Sequence, residues 1–379
     1  MKEIKLSCEV ITPLFMGGAN MEPEIRTQSI KGIMRWWWRA LKSYSDTKKL
    51  IQEEVDIFGG HKKDGNEKKA YSSKVILIVR VESAEKGNDL KQDFKLEWYY
   101  DKNNRRLKGN HEGIGYALFS VVAQRKRDYI KPKGKFKLIL RARDEEALKH
   151  ALASLWCAFY LGGFGSRSRR GAGSIVVSSV EEGREIIEKI GLKFLTNNRQ
   201  LDIKEWYERN IKKCFELVGV DKNDNVDKND NNCKYSSLFN AEIVISGKSF
   251  NDWHEALNDI GKIYSAFRFQ HRKAIFKTAI FGLPVIYRQG RILATGGIQR
   301  RASPLILKIT KYNEKYYWIV VRLAGDFLPQ GEKIALFQKD EREKEEKIKD
   351  AKLPDFCLLS KFMNSIKQNG ETIYCGRLI

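Results

Sequence analysis

Residues 144–180 read DEEALKHALASLWCAFYLGGFGSRSRRGAGSIVVSSV. The opening half predicts a helix. Asp144, Glu145 and Glu146 stand in its first turn, where negative charge suits the helix dipole, and Gly162–Gly163 stop it. The closing SIVVSSV is rich in β-branched residues and predicts a strand. Between them lies GGFGSRSRRGAGS (162–174), with five glycines and three arginines in thirteen residues. Such a loop lets the backbone approach an anion closely.

Working outward, strands are predicted at 74–82 (KVILIVRVE) and 135–141 (KFKLILR). An opening strand, KEIKLSCEVITPLF from residue 2, alternates as a half-buried strand does and ends at Pro13 and the Gly17–Gly18 pair. A helix follows from an N-cap at Ser29. The order strand, helix, strand, strand, helix, strand is the split βαβ, or ferredoxin-like, arrangement. Beyond it, LDIKEWYERNIKKCFELVG predicts a connecting helix. The polar tract DKNDNVDKNDNN (221–232) cannot support a core and predicts a mobile loop. It is no calcium loop, because Val226 and Asn232 stand where that motif needs glycine and glutamate.

From about 236 a second set begins: NAEIVISG, DWHEALNDIGKIYSAFR, PVIYR, SPLILKI and YYWIVVRL. KDEREKEEKIKDAK (339–352) predicts a charged helix or solvated face. The expected fold class is α+β, two ferredoxin-like (RRM-like, split βαβ) domains packed together. The expected boundaries are 1–182, with a basic insertion near 83–133, a connector over 183–235, and 236–379.

Charge narrows the partner. The 379 residues carry 70 Lys and Arg against 48 Asp and Glu, a net charge of +22. That excess favours a polyanion, nucleic acid above all. Its distribution is uneven: 101–143 holds 13 basic against 3 acidic residues, close to half of the net charge in a ninth of the length. The start, MKEIKLSCEV, lacks the apolar region of a signal peptide. The longest apolar stretch, ALASLWCAFYL (151–161), is about half of what spans a bilayer. Six cysteines at 8, 157, 214, 233, 357 and 375 form no CxxC pair. They are read as small buried hydrophobes in a reducing, cytoplasmic compartment. No metal, cofactor, membrane or small-molecule substrate is expected.

The helix SIKGIMRWWWRALKSY (29–44) has two faces at a period of 3.6. Ile30, Ile33, Met34, Trp37, Leu41 and Tyr44 form an apolar stripe. Lys31, Arg35, Arg39 and Lys42 form a basic one, bracketed by Trp36 and Trp38. A basic stripe flanked by aromatics suits single-stranded nucleic acid, where cations meet phosphates and bases stack on rings. Packing of Trp36 and Trp38 at sheet edges is the alternative. In the loop, Arg167, Arg169 and Arg170 offer bidentate donors to phosphodiesters, and Gly163, Gly165 and Ser166 belong to the same candidate surface. No P-loop is present: the loop follows a helix, precedes a strand and lacks the lysine. Five histidines (61, 111, 150, 254, 271) lie in no metal or triad pattern. His150 predicts a packed residue. His111, in the basic region, is the one candidate general acid/base for RNA cleavage.

Several of these pieces together resemble the RAMP superfamily of CRISPR proteins, specifically the largest RAMP-type head subunit of type III-B (Cmr) effector complexes. They are ITPLFMGG, EIRTQSIKGIMRWWWRA, YALF, YIKPKGKFKL, LGGFGSRSRRGAGS, GLPV and QRRASPLILKI, in family order over residues 11 to about 309. The resemblance implies a non-catalytic RNA-binding subunit that contacts the guide 3′ region, target RNA, or both, with other Cmr subunits as partners. It implies RNA contacts at Gly17, Gly18, Arg26, Lys31, Arg35, Arg39, Arg167, Arg169 and Arg170, and at Arg300 and Arg301 in the second half. Trp38 joins that set from the helix reading. The alternative is a metal-independent endoribonuclease that processes CRISPR RNA, with His111 as its base.

Overall fold

Ile4, Leu6, Cys8 and Val10 alternate with polar residues, and in the computed structural model of the chain they line the buried face of the first strand. The structure describes residues 1–44, 46–64, 67–124, 126–197, 201–220, 233–287, 290–339 and 345–376. The first half contains β1 (Lys2–Val10), α1 (Thr27–Lys42), α2 (Thr47–Phe58), β2 (Val75–Ser83), β3 (Lys135–Ala142), α3 (Glu145–Tyr160) and β4 (Ile175–Glu182). Its antiparallel sheet runs β4-β1-β3-β2. The second half contains α4 (Ile203–Leu217), β5 (Ser237–Ser246), α5 (Trp253–Gln270), β6 (Leu305–Tyr312), β7 (Lys315–Ala324), α6 (Cys357–Ile366) and β8 (Gly370–Cys375). Its sheet runs β8-β5-β7-β6, so fourth, first, third and second strands neighbour one another in both halves.

The two sheets differ in what covers them. The outer face of the first sheet is laced with ion pairs, Lys137 with Glu82 and Glu181 and Arg141 with Glu3. The second sheet is covered on both faces. Ile243, Ile245, Ile306, Ile319 and Val321 join the first half's helices in one core, while Val244, Leu305, Leu307, Trp318 and Val320 pack with α5 and α6 in another. Double burial explains why IVIS, LILKI and WIVV read as continuous apolar runs. The order of layers is therefore sheet, helices, sheet, helices.

Two expectations about elements need correction. α1 starts at Thr27 after an extended Arg26, so Ser29 lies inside the first turn and is not the cap. Residues 345–352 form a strand, which pairs with Ile334–Lys339 in a third sheet completed by Val285–Tyr287 and Gly290–Ala294. The predicted loop at 221–232 lies outside the described residues. Cys8, Cys157 and Cys214 are buried as expected, whereas Cys357 is exposed. No described helix is long and apolar enough to cross a membrane.

The insertion at 83–133 packs against the second half. Leu90, Leu96, Trp98, Ile114, Leu118 and Val121 belong to the core that includes α5. A short helix, Glu112–Ala117, crosses α5 where Gly113 meets Gly261, and a Cβ on either would collide with backbone of the other segment. The Gly113 amide donates to Asn258 Oδ1 at 3.0 Å, and Asn258 Nδ2 donates to the Asn110 carbonyl at 2.8 Å. Gly261→Ala should therefore lower the melting temperature by several degrees, through an overpacking cost of about 1–3 kcal/mol. It should also speed proteolysis within 83–133; an unchanged melting temperature and cleavage rate would contradict the crossing.

Trp38 contributes a pH-dependent contact. Its Nε1–H donates to His150 Nδ1 at 2.9 Å, which fixes the proton of the neutral imidazole on Nε2. Burial, and secondarily the Lys42 charge, push the His150 pKa down to about 4. The unfolded chain takes up this proton near pH 6.5, so the contribution is intact above that pH and is lost as pH falls through about 4. Urea unfolding of the wild type should lose about 3 kcal/mol of stability across that window beyond any loss in His150→Gln. Parallel pH profiles for the two proteins would refute the assignment.

Candidate nucleic-acid interface

The glycine-arginine loop is shaped by what it passes. Gly165 adopts φ +74° and Gly173 φ +63°, in the left-handed region, and a Cβ on either would strike the Phe15 or Phe164 backbone. The loop therefore lies flat against residues 13–16: the Ser166 amide donates to the Phe15 carbonyl at 2.8 Å and the Gly173 amide to the Pro13 carbonyl at 2.9 Å. On its other side it joins the second sheet. The Leu307 amide donates to the Arg169 carbonyl at 3.1 Å, forming a parallel bridge between Arg170 and β6. Gly171 rests on Leu257 of α5. The loop is a joint between the halves.

This position fixes its arginines. Arg167, itself at φ +61°, donates from Nε to Ser120 Oγ at 2.5 Å. Arg127 donates to Ser166 Oγ at 2.8 Å. Arg169 donates to the Ser303 carbonyl and lies 5.0 Å over the Trp36 ring. Arg170 lies 4.6 Å over the Tyr264 ring, reaches the Phe281 carbonyl at 3.4 Å and leaves Nη1 buried with no partner. Arg301 donates to the carbonyls of Phe327 and Asp326 at 2.6 and 2.9 Å. Every one of these acceptors is a neutral oxygen, and none of the five arginines forms an ion pair with a described carboxylate. Burial, then mutual repulsion, pushes Arg169 down to about 10 and lowers Arg167; burial alone lowers Arg301. A desolvated cluster of cations with an unused donor is a site that an anion completes.

The α1 surface is compensated in a way the loop is not. Arg35 Nε and Arg39 Nη1 both reach Glu54 Oε1 of α2 at 2.6 Å, and Glu54 is buried. Lys31 donates to Ser73 Oγ at 2.9 Å and to the Val75 carbonyl at 3.1 Å. Lys42 is buried on the Val218 carbonyl at 2.9 Å and pairs with Glu53 at 3.0 Å, so it leaves the predicted basic stripe. Trp38 is corrected as well: it is fully buried, packs against Phe58 and bonds His150, so no base can stack on it. Trp37 is core as read, and half-buried Trp36 carries the Arg169 guanidinium.

Of the remaining candidates, Gly17 and Gly18 open a turn closed by Gly17 against Pro23, beside half-buried Arg26 at the start of α1. Arg300 is exposed next to Arg301. Gly163 packs against the Ala172 carbonyl within the loop. His111 stands apart and is held structurally. Its Nδ1 accepts the Glu97 amide at 3.1 Å, its ring meets His254 edge-on at 6.0 Å, and burial followed by the His254 charge lowers its pKa. Sequence reading missed Glu54, Tyr264 and Lys308. The last is buried in β6 with an unpartnered Nζ, burial pushing its pKa well down. Only its place inside the apolar run LILKI carried any trace of that burial.

Known proteins share this geometry's frame. A model of the RAMP superfamily matches residues 7–176, the interval that holds α1 and the arginine loop. Over 307 residues, 79% of this chain and 80% of the relative, the chain is 31% identical to the CRISPR system Cmr subunit Cmr1-1 of Pyrococcus furiosus. The chain belongs to the Cmr1 family of RAMP proteins. The Cmr1 fold spans nearly the whole chain. The crystal structure of apo Cmr1 from Pyrococcus furiosus superposes with a TM-score of 0.64 at 23% identity, covering 99% of this chain and 100% of that one. A chain from the cryo-EM structure of the type III-B Cmr-beta complex bound to cognate target RNA superposes at 0.53 and 16% identity, covering 96% and 99%.

The shared Glu54 contact has a measurable consequence. Arg35→Ala and Arg39→Ala should each cost less than about 1 kcal/mol, because one guanidinium still neutralises Glu54. The double variant should exceed the sum by about 1–2 kcal/mol, since the carboxylate is then buried alone. Additive unfolding free energies would show that Glu54 is not held by the pair.

Proposed function

We propose that this Cmr1-family chain is a non-catalytic, RNA-holding subunit of a type III-B CRISPR (Cmr) effector complex, touching the guide 3′ region, target RNA, or both, beside other Cmr subunits. One observation carries the reading: Arg167, Arg169, Arg170 and Arg301 converge at the joint between the halves on neutral acceptors only. Phosphodiester oxygens are the anions that planar guanidinium groups recognise best, and a backbone contact of this kind is indifferent to sequence. The chain's net charge of +22 acts in the same direction.

The shared strand order supports two ferredoxin-like units, with boundaries at 1–182, 183–235 and 236–379. In that division the 83–133 insertion is the first unit's bridge to the second. The RNA-facing set is then led by the loop, Gly163, Gly165, Ser166, Arg167, Arg169 and Arg170, with Arg301 and exposed Arg300. Gly17, Gly18 and Arg26 border it, and Arg35 and Arg39 join once phosphate competes with Glu54. Lys31 is the member most committed to the chain's own atoms. The endoribonuclease alternative loses its base, because His111 Nδ1 is already engaged by the Glu97 amide.

Arg169→Ala and Arg170→Ala should each weaken binding of unrelated single-stranded RNAs about tenfold and equally. Each should also flatten the salt dependence by roughly 0.7 in log–log slope for every phosphate left without its arginine. Fluorescence anisotropy over a salt series reads both. Wild-type affinity and slope in both variants would remove the loop from the interface.

A further inference from the structure

Five of the thirteen basic residues at 101–143 form ion pairs with described carboxylates. Lys108 pairs with Asp101, Lys126 with Asp89, Lys131 with Glu85 and Asp93, Lys137 with Glu82 and Glu181, and Arg141 with Glu3. Lys102, Arg105 and Arg106 do otherwise. They sit exposed on the hairpin formed by Tyr99–Asp101 and Arg106–Lys108, and none pairs with a described carboxylate. On the same hairpin Tyr99 and Tyr100 are 62% and 56% exposed, the most exposed aromatic rings among the described residues.

The hairpin's turn is closed by its own side chains. Asp101 Oδ1 accepts the amides of Asn103 and Asn104 at 3.0 and 3.1 Å, and Oδ2 takes Asn104 Nδ2 at 2.6 Å and Lys108 at 2.8 Å. The Asn104 and Lys108 contacts hold this carboxyl far below the usual carboxylate range. The one acidic group of the hairpin is thus occupied in closing the turn. Cross-strand partners share a face, so Tyr99, Asp101, Arg106 and Lys108 form one side of the ribbon and Tyr100 and Leu107 the other. The first side turns to the end of α5. There the Phe269 ring carries the Arg106 guanidinium at 5.5 Å and that of Arg272 at 3.8 Å. Stacking orients the guanidinium planes, Arg272 Nη1 also donates to the Phe269 carbonyl at 2.9 Å, and the remaining N–H edges can meet phosphate. Phe269 lies five residues beyond buried Tyr264, on which Arg170 rests, about 7.5 Å of helix rise and roughly 140° around the helix.

We propose that the two sides of this ribbon, Tyr99 and Arg106 on one and Tyr100 on the other, together with Arg105, Phe269 and Arg272, bind a few nucleotides of unpaired RNA that leave the arginine loop and wrap around the hairpin. Bases stack on the tyrosine rings and phosphates meet the guanidinium edges. The tyrosines project from a ribbon and line no apolar cleft, so flat bases fit them better than an acidic peptide that must bury side chains. This rests on the RNA-holding reading above and extends it to single strands, since a paired base offers no free face.

The test uses the full chain with uridine oligomers of 6 and 20 nucleotides and a 20-base-pair RNA duplex, comparing wild type, Tyr99→Ala/Tyr100→Ala, Tyr99→Phe/Tyr100→Phe and Arg169→Ala. The alanine pair should weaken 20-mer binding roughly tenfold or more, as loss of about 1–3 kcal/mol of stacking per base implies. It should leave the 6-mer, the duplex and the melting temperature unchanged, and the phenylalanine pair should keep wild-type affinity. Arg169→Ala should weaken every ligand. If wild type binds RNA through Arg169 while the alanine pair binds the 20-mer normally, the hairpin surface is overturned and the RNA-holding reading stands. If wild type binds no RNA, both fall. If the alanine pair keeps RNA affinity but no longer joins its neighbouring subunit, the patch is a protein contact and the proposal is overturned.

Discussion

A single backbone hydrogen bond, from the Leu307 amide to the Arg169 carbonyl at 3.1 Å, places the arginine loop on the open edge of the second sheet. Much else follows from it. β6 is an edge strand, and an uncovered edge leaves unpaired amides and carbonyls. The loop covers part of that edge, and in doing so it carries Arg169 to Ser303 and Trp36 and carries Arg170 to Tyr264 and Phe281. These arginines are drawn into the joint by backbone geometry and not by carboxylates. Their desolvation is therefore compensated only by neutral acceptors and aromatic rings, which is costly for the free chain and favourable for a phosphate-bearing partner.

The same joint ties binding to the relation between the halves. Trp36 belongs to the first half's helix α1, Tyr264 to α5, Phe281 to a short helical turn of the second half and Ser303 to one of its loops, so an anion seated among these arginines touches elements of both. Gly113 against Gly261 adds a second tie, through the basic insertion. A ligand that strengthens the loop's contacts should also restrain the halves against each other, as binding to only the native state must.

How much of this could be read from residues alone varied by element. The helix at 145–160 and the strand at 175–182 were legible because caps, glycine stops and β-branched runs are local signals. The wheel for α1 placed Ile30, Met34, Trp37 and Leu41 correctly but failed for Trp38 and Lys42. A wheel assumes that one side is buried, whereas α1 lies between two sheets and α3, so its buried arc is wider. Trp38 then finds His150, and Lys42 finds the Val218 carbonyl and Glu53. The loop's arginines were visible from composition, but their compensation was not. Glu54, which quenches Arg35 and Arg39, comes from a helix with no strong start signal beyond Asp46, and the carbonyl acceptors of Arg169 and Arg301 lie more than twenty residues away in sequence. The strand at 345–352 was misread because its run of charged residues lacks the apolar alternation that marks a strand, while its backbone pairs with Ile334–Lys339.

Phosphate meeting guanidinium at the joint is the contact on which the proposed role rests. Its most direct measurement is photo-crosslinking of RNA to the assembled complex, with the attached peptides of this chain mapped by mass spectrometry. Crosslinks are expected within 162–174 and at its half-buried neighbour Trp36. Crosslinks confined to surfaces remote from that loop, with 162–174 unmodified, would contradict the assignment.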